Sequence, residues 1–65
     1  MKIVLNGEQR DCQAQTVFDL ITELGYVGKR IAVELNGEIV PKSQHESTPL
    51  NQDDQLEIVV AVGGG

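Results

Sequence analysis

Residues 1–25, "MKIVLNGEQRDCQAQTVFDLITELG", contain the signals that decide the fold. The first six residues alternate between apolar and other side chains, and this period of two predicts a half-buried strand. The apolar face consists of Met1, Ile3 and Leu5. Asn6-Gly7 then predicts a tight hairpin turn, because both residue types accept positive φ. The predicted return strand is "QRDCQA", with Arg10, Cys12 and Ala14 on one face.

A helix is predicted directly after this hairpin. Thr16 is a residue type that caps helix N-termini, and Asp19 three positions later forms an acidic variant of the capping box. The apolar residues that follow have the i, i+3, i+4, i+7 spacing of a helix that packs by one face on a sheet. They are Val17, Leu20, Ile21 and Leu24. Gly25 stands where a helix C-cap glycine is expected.

Three further strands are predicted after the helix. The segment "IAVELN" alternates again, with Ile31, Val33 and Leu35 inward, and Asn36-Gly37 repeats the turn signal. A short strand, "EIVP", follows and ends at Pro41. The polar segment 42–54 is predicted to be a loop that Leu50 anchors in the core. The last strand has Leu56, Ile58, Val60 and Val62 on one face and Glu57, Val59 and Ala61 on the other.

The order β-β-α-β-β-β predicts an α+β fold, a mixed sheet of four or five strands curled over one main helix. A chain of 65 residues allows one domain, 1–65, in which 62–65 are expected to form an extended, flexible tail. One cysteine excludes an internal disulfide, and neither a membrane span nor a signal peptide is predicted. The expected location is the cytoplasm.

The charge of the chain limits its partners. The formal net charge is −5, which disfavours nucleic acid because phosphate binding needs clustered Lys and Arg. An acidic small protein is better suited to dock on a basic surface of a larger one.

The segment "LEIVVAVGGG", residues 56–65, is the main candidate for chemistry. Gly63 and Gly64 have no Cβ and can thread a slot that is too narrow for other residues. Gly65 is expected to carry a free α-carboxylate, which is ionised at neutral pH and must be activated, most simply as an acyl-adenylate, before it can be attacked. The alternative is an ordinary frayed terminus.

The other chemically capable residues are interpreted as structural. Cys12 is expected on the core face, where a free thiol behaves as a small apolar side chain. His45 has no second ligand at metal spacing and is predicted to be a solvated surface residue. Asp53-Asp54 indicates a turn. No catalytic or metal constellation is predicted, and no bound cofactor is expected.

An exposed docking face is predicted near the tail. Val4, Val59 and Ala61 alternate with the predicted core residues and therefore lie on the opposite face of the sheet. With Val62, they form the predicted contact set for a partner.

Four segments together resemble a known family: "MKIVLNGE", "TVFDLITELG", "IAVELNGEIVPKSQ" and "DDQLEIVVAVGGG". The arrangement is similar to the ubiquitin-like β-grasp fold and, within it, to the ThiS family, the sulfur carriers of thiamin thiazole biosynthesis. The "NGEIVPKS" segment and the "AVGGG" ending are the more selective motifs. The turn at 53–55 departs from the family, which often has Asp-Gly-Asp there.

The resemblance implies a co-substrate and not an enzyme. An E1-like, ThiF-like adenylyltransferase would activate Gly65 with ATP and magnesium. A cysteine desulfurase would supply sulfur through a persulfide, and a ThiG-like thiazole synthase would take it from the Gly65 thiocarboxylate. Three alternatives remain open: a carrier for molybdopterin or cysteine synthesis, a protein modifier that forms isopeptide bonds, and an interaction module with a passive tail.

Overall fold

The computed structural model describes residues 1–61. It contains five strands, one α-helix and one 3₁₀ turn. In chain order these are β1 (Lys2–Leu5), β2 (Glu8–Asp11), α1 (Val17–Leu24), β3 (Ile31–Leu35), β4 (Glu38–Ile39), the 3₁₀ turn (Lys42–Gln44) and β5 (Gln55–Val60). No helix in this described part is long and apolar enough to cross a bilayer.

The five strands form one mixed sheet in the order β2-β1-β5-β3-β4. β1 and β5 are parallel, while β1–β2, β3–β5 and β3–β4 are antiparallel. The strand that precedes the tail, β5, is therefore central. All four residues of the edge strand β2 are exposed. The predicted α+β architecture is confirmed.

The core lies between α1 and one face of the sheet. Its members come from β1, α1, β3, β5 and the connecting segments. The buried apolar residues are Ile3, Cys12, Ala14, Val17, Leu20, Ile21, Val33, Val40, Leu50, Leu56 and Ile58. The predicted helix stripe, the core position of Cys12 and the anchoring role of Leu50 are thus confirmed. Met1 differs from the prediction, since 42% of its surface is exposed.

The caps of α1 follow the sequence signals. Thr16 Oγ1 accepts a hydrogen bond from the Asp19 N–H at 3.1 Å. Asp19 Oδ2 in return accepts from the Gln15 N–H at 3.3 Å, one residue before the usual capping-box partner. Gly25 has φ of 77°, and the next N–H, of Tyr26, bonds to the Ile21 carbonyl at 3.0 Å. This is the left-handed C-cap that the glycine predicts.

The two Asn-Gly turns do more than reverse the chain. Asn6 has φ of 51°, and its side-chain amide lies beside β5. Asn6 Nδ2 donates to the Ile58 carbonyl at 3.2 Å, and the Ile58 N–H donates to Asn6 Oδ1 at 2.9 Å. The side chain thus makes the pair of hydrogen bonds that another residue of β1 would make, and it ends the parallel ladder without leaving Ile58 unpaired.

Asn36 holds β5 from its other side. Its φ is also 51°, its N–H donates to the Gln55 carbonyl at 2.7 Å, and its Oδ1 accepts from the Gln55 N–H at 3.0 Å. Its Nδ2 donates to Asp54 Oδ1 at 3.0 Å. β5 is therefore held at its first residue, Gln55, and near its middle, at Ile58, by asparagine side chains from opposite sides.

The prediction that His45 is solvated is wrong. Only 6% of its surface is exposed, and its Nε2 lies 3.1 Å from the Val40 carbonyl oxygen, to which it donates. The His45 carbonyl also accepts from the Phe18 N–H at 2.9 Å, at the start of α1. The segment after β4 folds back on the helix, so the ring is removed from water while it bonds to backbone five residues earlier.

We expect His45→Ala to lower the free energy of unfolding by about 2 kcal/mol, because the change removes a buried hydrogen bond and leaves a cavity. Urea denaturation measures the effect. Ser43→Ala, an exposed position in the same segment, is the matched control. A loss below about 0.5 kcal/mol would mean that the ring does not support this segment.

Candidate functional site

The candidate site is the end of β5 and the segment that follows it. Ala61 is still held to the sheet, because its N–H donates to the Arg30 carbonyl at 2.8 Å. Val62, Gly63, Gly64 and Gly65 lie outside the described residues, so the roles assigned to them stay predictions. The strand that leads to this point, β5, is the central strand of the sheet and is hydrogen-bonded to a neighbour on each side.

Val59 and Ala61 are exposed on the outer face of the sheet, the face opposite α1. Val59 is 64% exposed and pairs with Ala32 of β3. Val4 lies on the same face but is half-buried. Its register partner is Gln55, four positions before Val59, which is roughly 13 Å along the strand. The structure places Val59 and Ala61 on one face at the end of β5 and Val4 beside the first residue of β5.

Residues of β3 and β4 complete this outer face and were missed in the sequence. Ala32 is exposed beside Val59, and Ile39 of β4 is 65% exposed. The alternation of 31–35 already placed Ala32 outward, but only the sheet order shows that β3 is the neighbour of β5.

Two carboxylates face each other within the outer face. Glu34 of β3 pairs with Glu57 of β5, and Glu34 also pairs with Ile39. Like charges directly opposite one another disfavour strand pairing. An apolar strip with an adjacent acidic pair is complementary to a partner surface that carries apolar and basic groups.

The remaining candidate side chains take part in packing. Cys12 is 2% exposed, and its Sγ is 3.9 Å from the Ala14 carbonyl oxygen. Within residues 1–61, no group of three or more His, Cys, Asp or Glu side chains could hold a metal ion.

These features define a class of protein, the ubiquitin-like β-grasp proteins, in which a mixed five-stranded sheet and one helix support a last strand that runs into glycines. The chain belongs to the ThiS family, whose model matches residues 3–65.

Comparison with individual proteins gives the same assignment. A ThiS sulfur carrier protein of Thermus thermophilus is 34% identical over 61 residues, which covers 94% of this chain and 95% of that protein. The crystal structure of the thiamine biosynthesis protein ThiS from Geobacter metallireducens superposes with a TM-score of 0.83 at 26% identity and covers all of both chains.

A larger protein also contains a similar segment. A thiazole synthase of Paramagnetospirillum magneticum is 50% identical over 66 residues, which covers 100% of this chain. The chain spans 20% of that protein's length.

Proposed function

We propose that this chain is a sulfur carrier of thiamine biosynthesis, a protein co-substrate that other enzymes load and unload. The observation that carries the proposal is the extent of the family match, which runs over residues 3–65 and so includes the glycines as well as the folded body. A likeness confined to the body would support the fold alone.

The proposed chemistry takes place on Gly65, which must carry a free α-carboxylate in the reacting protein. A carboxylate oxygen attacks the α-phosphate of ATP, with magnesium in the partner's site, and pyrophosphate leaves. The terminal sulfur of a desulfurase persulfide then attacks the acyl carbon and displaces AMP, which gives an acyl disulfide. A thiol reductant cleaves its S–S bond, so that the thiocarboxylate is released and the thiol is oxidised to a disulfide. Adenylation is required because an ionised carboxylate is a poor electrophile.

The folded domain fixes the position from which the last four residues extend. β5 is bonded to β1 and β3, and asparagine side chains hold it at Gln55 and Ile58. Four residues beyond Ala61 reach at most about 14 Å when extended. Gly63 and Gly64 add no side chain to this length, which suits entry into a narrow channel of a partner.

Two partners follow from the proposed chemistry, an E1-like, ThiF-like adenylyltransferase and a ThiG-like thiazole synthase. The similarity to part of a thiazole synthase supports the second, because a carrier segment within the same chain would act at high effective concentration. A cysteine desulfurase takes part indirectly as the source of sulfur.

We infer that the outer face of the sheet docks on these partners. Val59→Glu places a third carboxylate on the outer face, beside the pair Glu34 and Glu57, and should lower kcat/KM for loading about tenfold. The fold should be retained, since Val59 is 64% exposed. A coupled pyrophosphate-release assay measures the rate.

Gln13→Glu is the matched control for that variant, because it adds the same charge at an exposed position in the connection between β2 and α1, outside the strands that carry Val59 and its neighbours. Equal rates for Val59→Glu and Gln13→Glu would remove this face from the proposal.

The function is tested by mass spectrometry of the C-terminal peptide after incubation with an E1-like enzyme, ATP and a persulfide donor. The expected product has one oxygen of Gly65 replaced by sulfur. The change must be localised to this peptide, because oxidation of Met1 or Cys12 adds nearly the same mass. Lysine conjugates without a thiocarboxylate would indicate a protein modifier, and an unmodified Gly65 with a demonstrably active enzyme set would contradict the proposal.

A further inference from the structure

A groove of about 750 Å³ lies along β3, between α1, the loop that follows the helix and the segment after β4. Its apolar lining includes Phe18, Ile21, Val27 and Ile31. Phe18 and Val27 are 37% and 54% exposed, so large apolar side chains are left in contact with water here. Ala32, Val59 and Ala61 also line the groove, which therefore reaches around the edge of β3 to the outer face of the sheet.

The rim of this groove is basic although the chain is acidic. The sequence has five Lys and Arg residues against ten Asp and Glu. Three of the five line the groove, namely Lys29, Arg30 and Lys42, together with a single carboxylate, Glu46. The Lys29 ammonium lies 5.9 Å from the centroid of the Tyr26 ring, which sets one cation over the groove's aromatic wall. Positive charge is thus gathered beside an apolar surface.

The groove also borders an open edge of the sheet. β4 pairs with β3 only at Glu34 and Leu35, and the Val40 N–H adds one bond to the Val33 carbonyl at 2.8 Å. Pro41 then diverts the chain, and among residues 1–61 no strand pairs with this side of β3 before Val33. A proline could not continue the ladder as a donor.

The backbone of Ile31 points to this open side. Backbone groups of successive strand residues face opposite neighbours. The Arg30 carbonyl bonds to Ala61 beside β5, whereas the Val33 carbonyl bonds to Val40 on the side of β4. Ile31 has the same parity as Val33, so its N–H and carbonyl are directed to the groove. An extended segment laid there would find a hydrogen-bonding edge, apolar contacts and cations.

We propose that this groove binds an acidic, extended peptide segment of a partner protein, with alternate apolar side chains on the Phe18 and Val27 surface and carboxylates at Lys29, Arg30 and Lys42. The segment adds to the β3 edge as a strand. Charge complementarity selects the occupant, because the rest of this protein is acidic and would repel such a peptide elsewhere. The inference does not depend on sulfur transfer.

Titration of the full chain with a synthetic peptide tests the proposal. The probe is acetyl-Asp-Val-Ile-Val-Glu-Asp-amide, followed by ¹H–¹⁵N correlation spectra. We expect saturable shifts confined to the residues that line the groove, at positions 18–21, 26–32, 42–46 and 59–61. We also expect the Ile31 amide to exchange with deuterium about tenfold more slowly in the complex, since it becomes hydrogen-bonded. A peptide with Asn and Gln in place of Asp and Glu should bind at least about fivefold more weakly.

Charge-reversal variants locate the site. Lys42→Glu and Lys29→Glu should each weaken binding at least about fivefold, while Lys2→Glu, the same change outside the groove, should alter it less than about twofold. Equal weakening by Lys2→Glu, or shifts outside the groove, would overturn the proposal. The same would hold if inorganic tripolyphosphate reproduced the shifts while the peptide did not, because the groove would then be a small-anion site. These experiments measure peptide binding and not sulfur loading, so each of these results leaves the sulfur-carrier proposal intact.

Discussion

Deletion of Gly64 and Gly65 is expected to lower the rate of thiocarboxylate formation at least about a hundredfold while the domain stays folded. The deletion withdraws the reacting carboxylate by about 7 Å. A displacement of about 1 Å can already cost a hundredfold when two groups must be aligned for reaction. All residues of the buried core lie between positions 3 and 58 of the sequence, and the deletion removes none of them. The free energy of unfolding should therefore change by less than about 0.5 kcal/mol.

The deletion is best compared with a variant of unchanged length. Gly64→Val keeps the reach of the tail but adds a β-branched side chain, and a narrow partner channel should reject it nearly as strongly. Intact-mass and C-terminal-peptide spectra over a time course measure both variants beside the wild type. If the deleted protein is loaded within about threefold of the wild-type rate, the reach of the tail is not what places the reacting group.

Asn6→Gly is expected to lower the free energy of unfolding by about 2 kcal/mol, a large effect for a turn residue outside the buried core. Glycine accepts the φ of 51° found here, so the change isolates the side chain. What is lost is the pair of hydrogen bonds to the N–H and carbonyl of Ile58, in a partly buried position. A domain of this size has only about 3–5 kcal/mol to lose.

Three further variants separate the contributions to this effect. Asn6→Asp keeps an acceptor for the Ile58 N–H but removes the donor to its carbonyl, and it should lie between the wild type and Asn6→Gly. Asn6→Ala adds left-handed backbone strain of about 1 kcal/mol to the loss of the bonds. Asn36→Gly, at an exposed site, should cost less. Equal stability of Asn6→Gly and the wild type in urea denaturation would show that asparagine supplies only its backbone conformation.

The features predicted from the sequence are those whose determinants lie within a few residues of one another. Thr16 caps a helix whose third residue, Asp19, returns a bond one residue before the cap. Asn-Gly turns depend on the φ preferences of two adjacent residues. Alternation of apolar and polar residues requires only a sheet with one buried face, and for this reason the inward positions of Ile3, Val33 and Leu56 were predicted correctly.

The features that could not be predicted depend on contacts between distant segments. Asn6 bonds to Ile58 across 52 positions, and nothing in an Asn-Gly dipeptide indicates that partner. His45 is buried because the chain after β4 folds back on the start of α1, which local polarity does not reveal. The position of Val4 relative to Val59 follows from the register of a parallel pair, Val4 with Gln55, which alternation leaves undetermined.

Only part of the candidate site was predicted from the sequence. The outward positions of Val59 and Ala61 follow from the alternation of β5. The contribution of Ala32 and Ile39 requires the knowledge that β3 lies between β5 and β4. The groove beside β3 has no local signature, because its cations come from two loops that approach each other only in the folded chain.

The adjacency of β1 and β5 has a consequence for how the protein is made. The first and last strands are neighbours in the middle of the sheet, so the sheet cannot close until nearly the whole chain is available. Contacts between distant parts of a chain slow folding relative to helical domains of the same size. Chain ends usually fray first, but here release of either terminal strand splits the sheet at its centre. We therefore expect hydrogen exchange of the amides in β1 and β5 to require global unfolding, so that the population with a formed docking face equals the population that is folded.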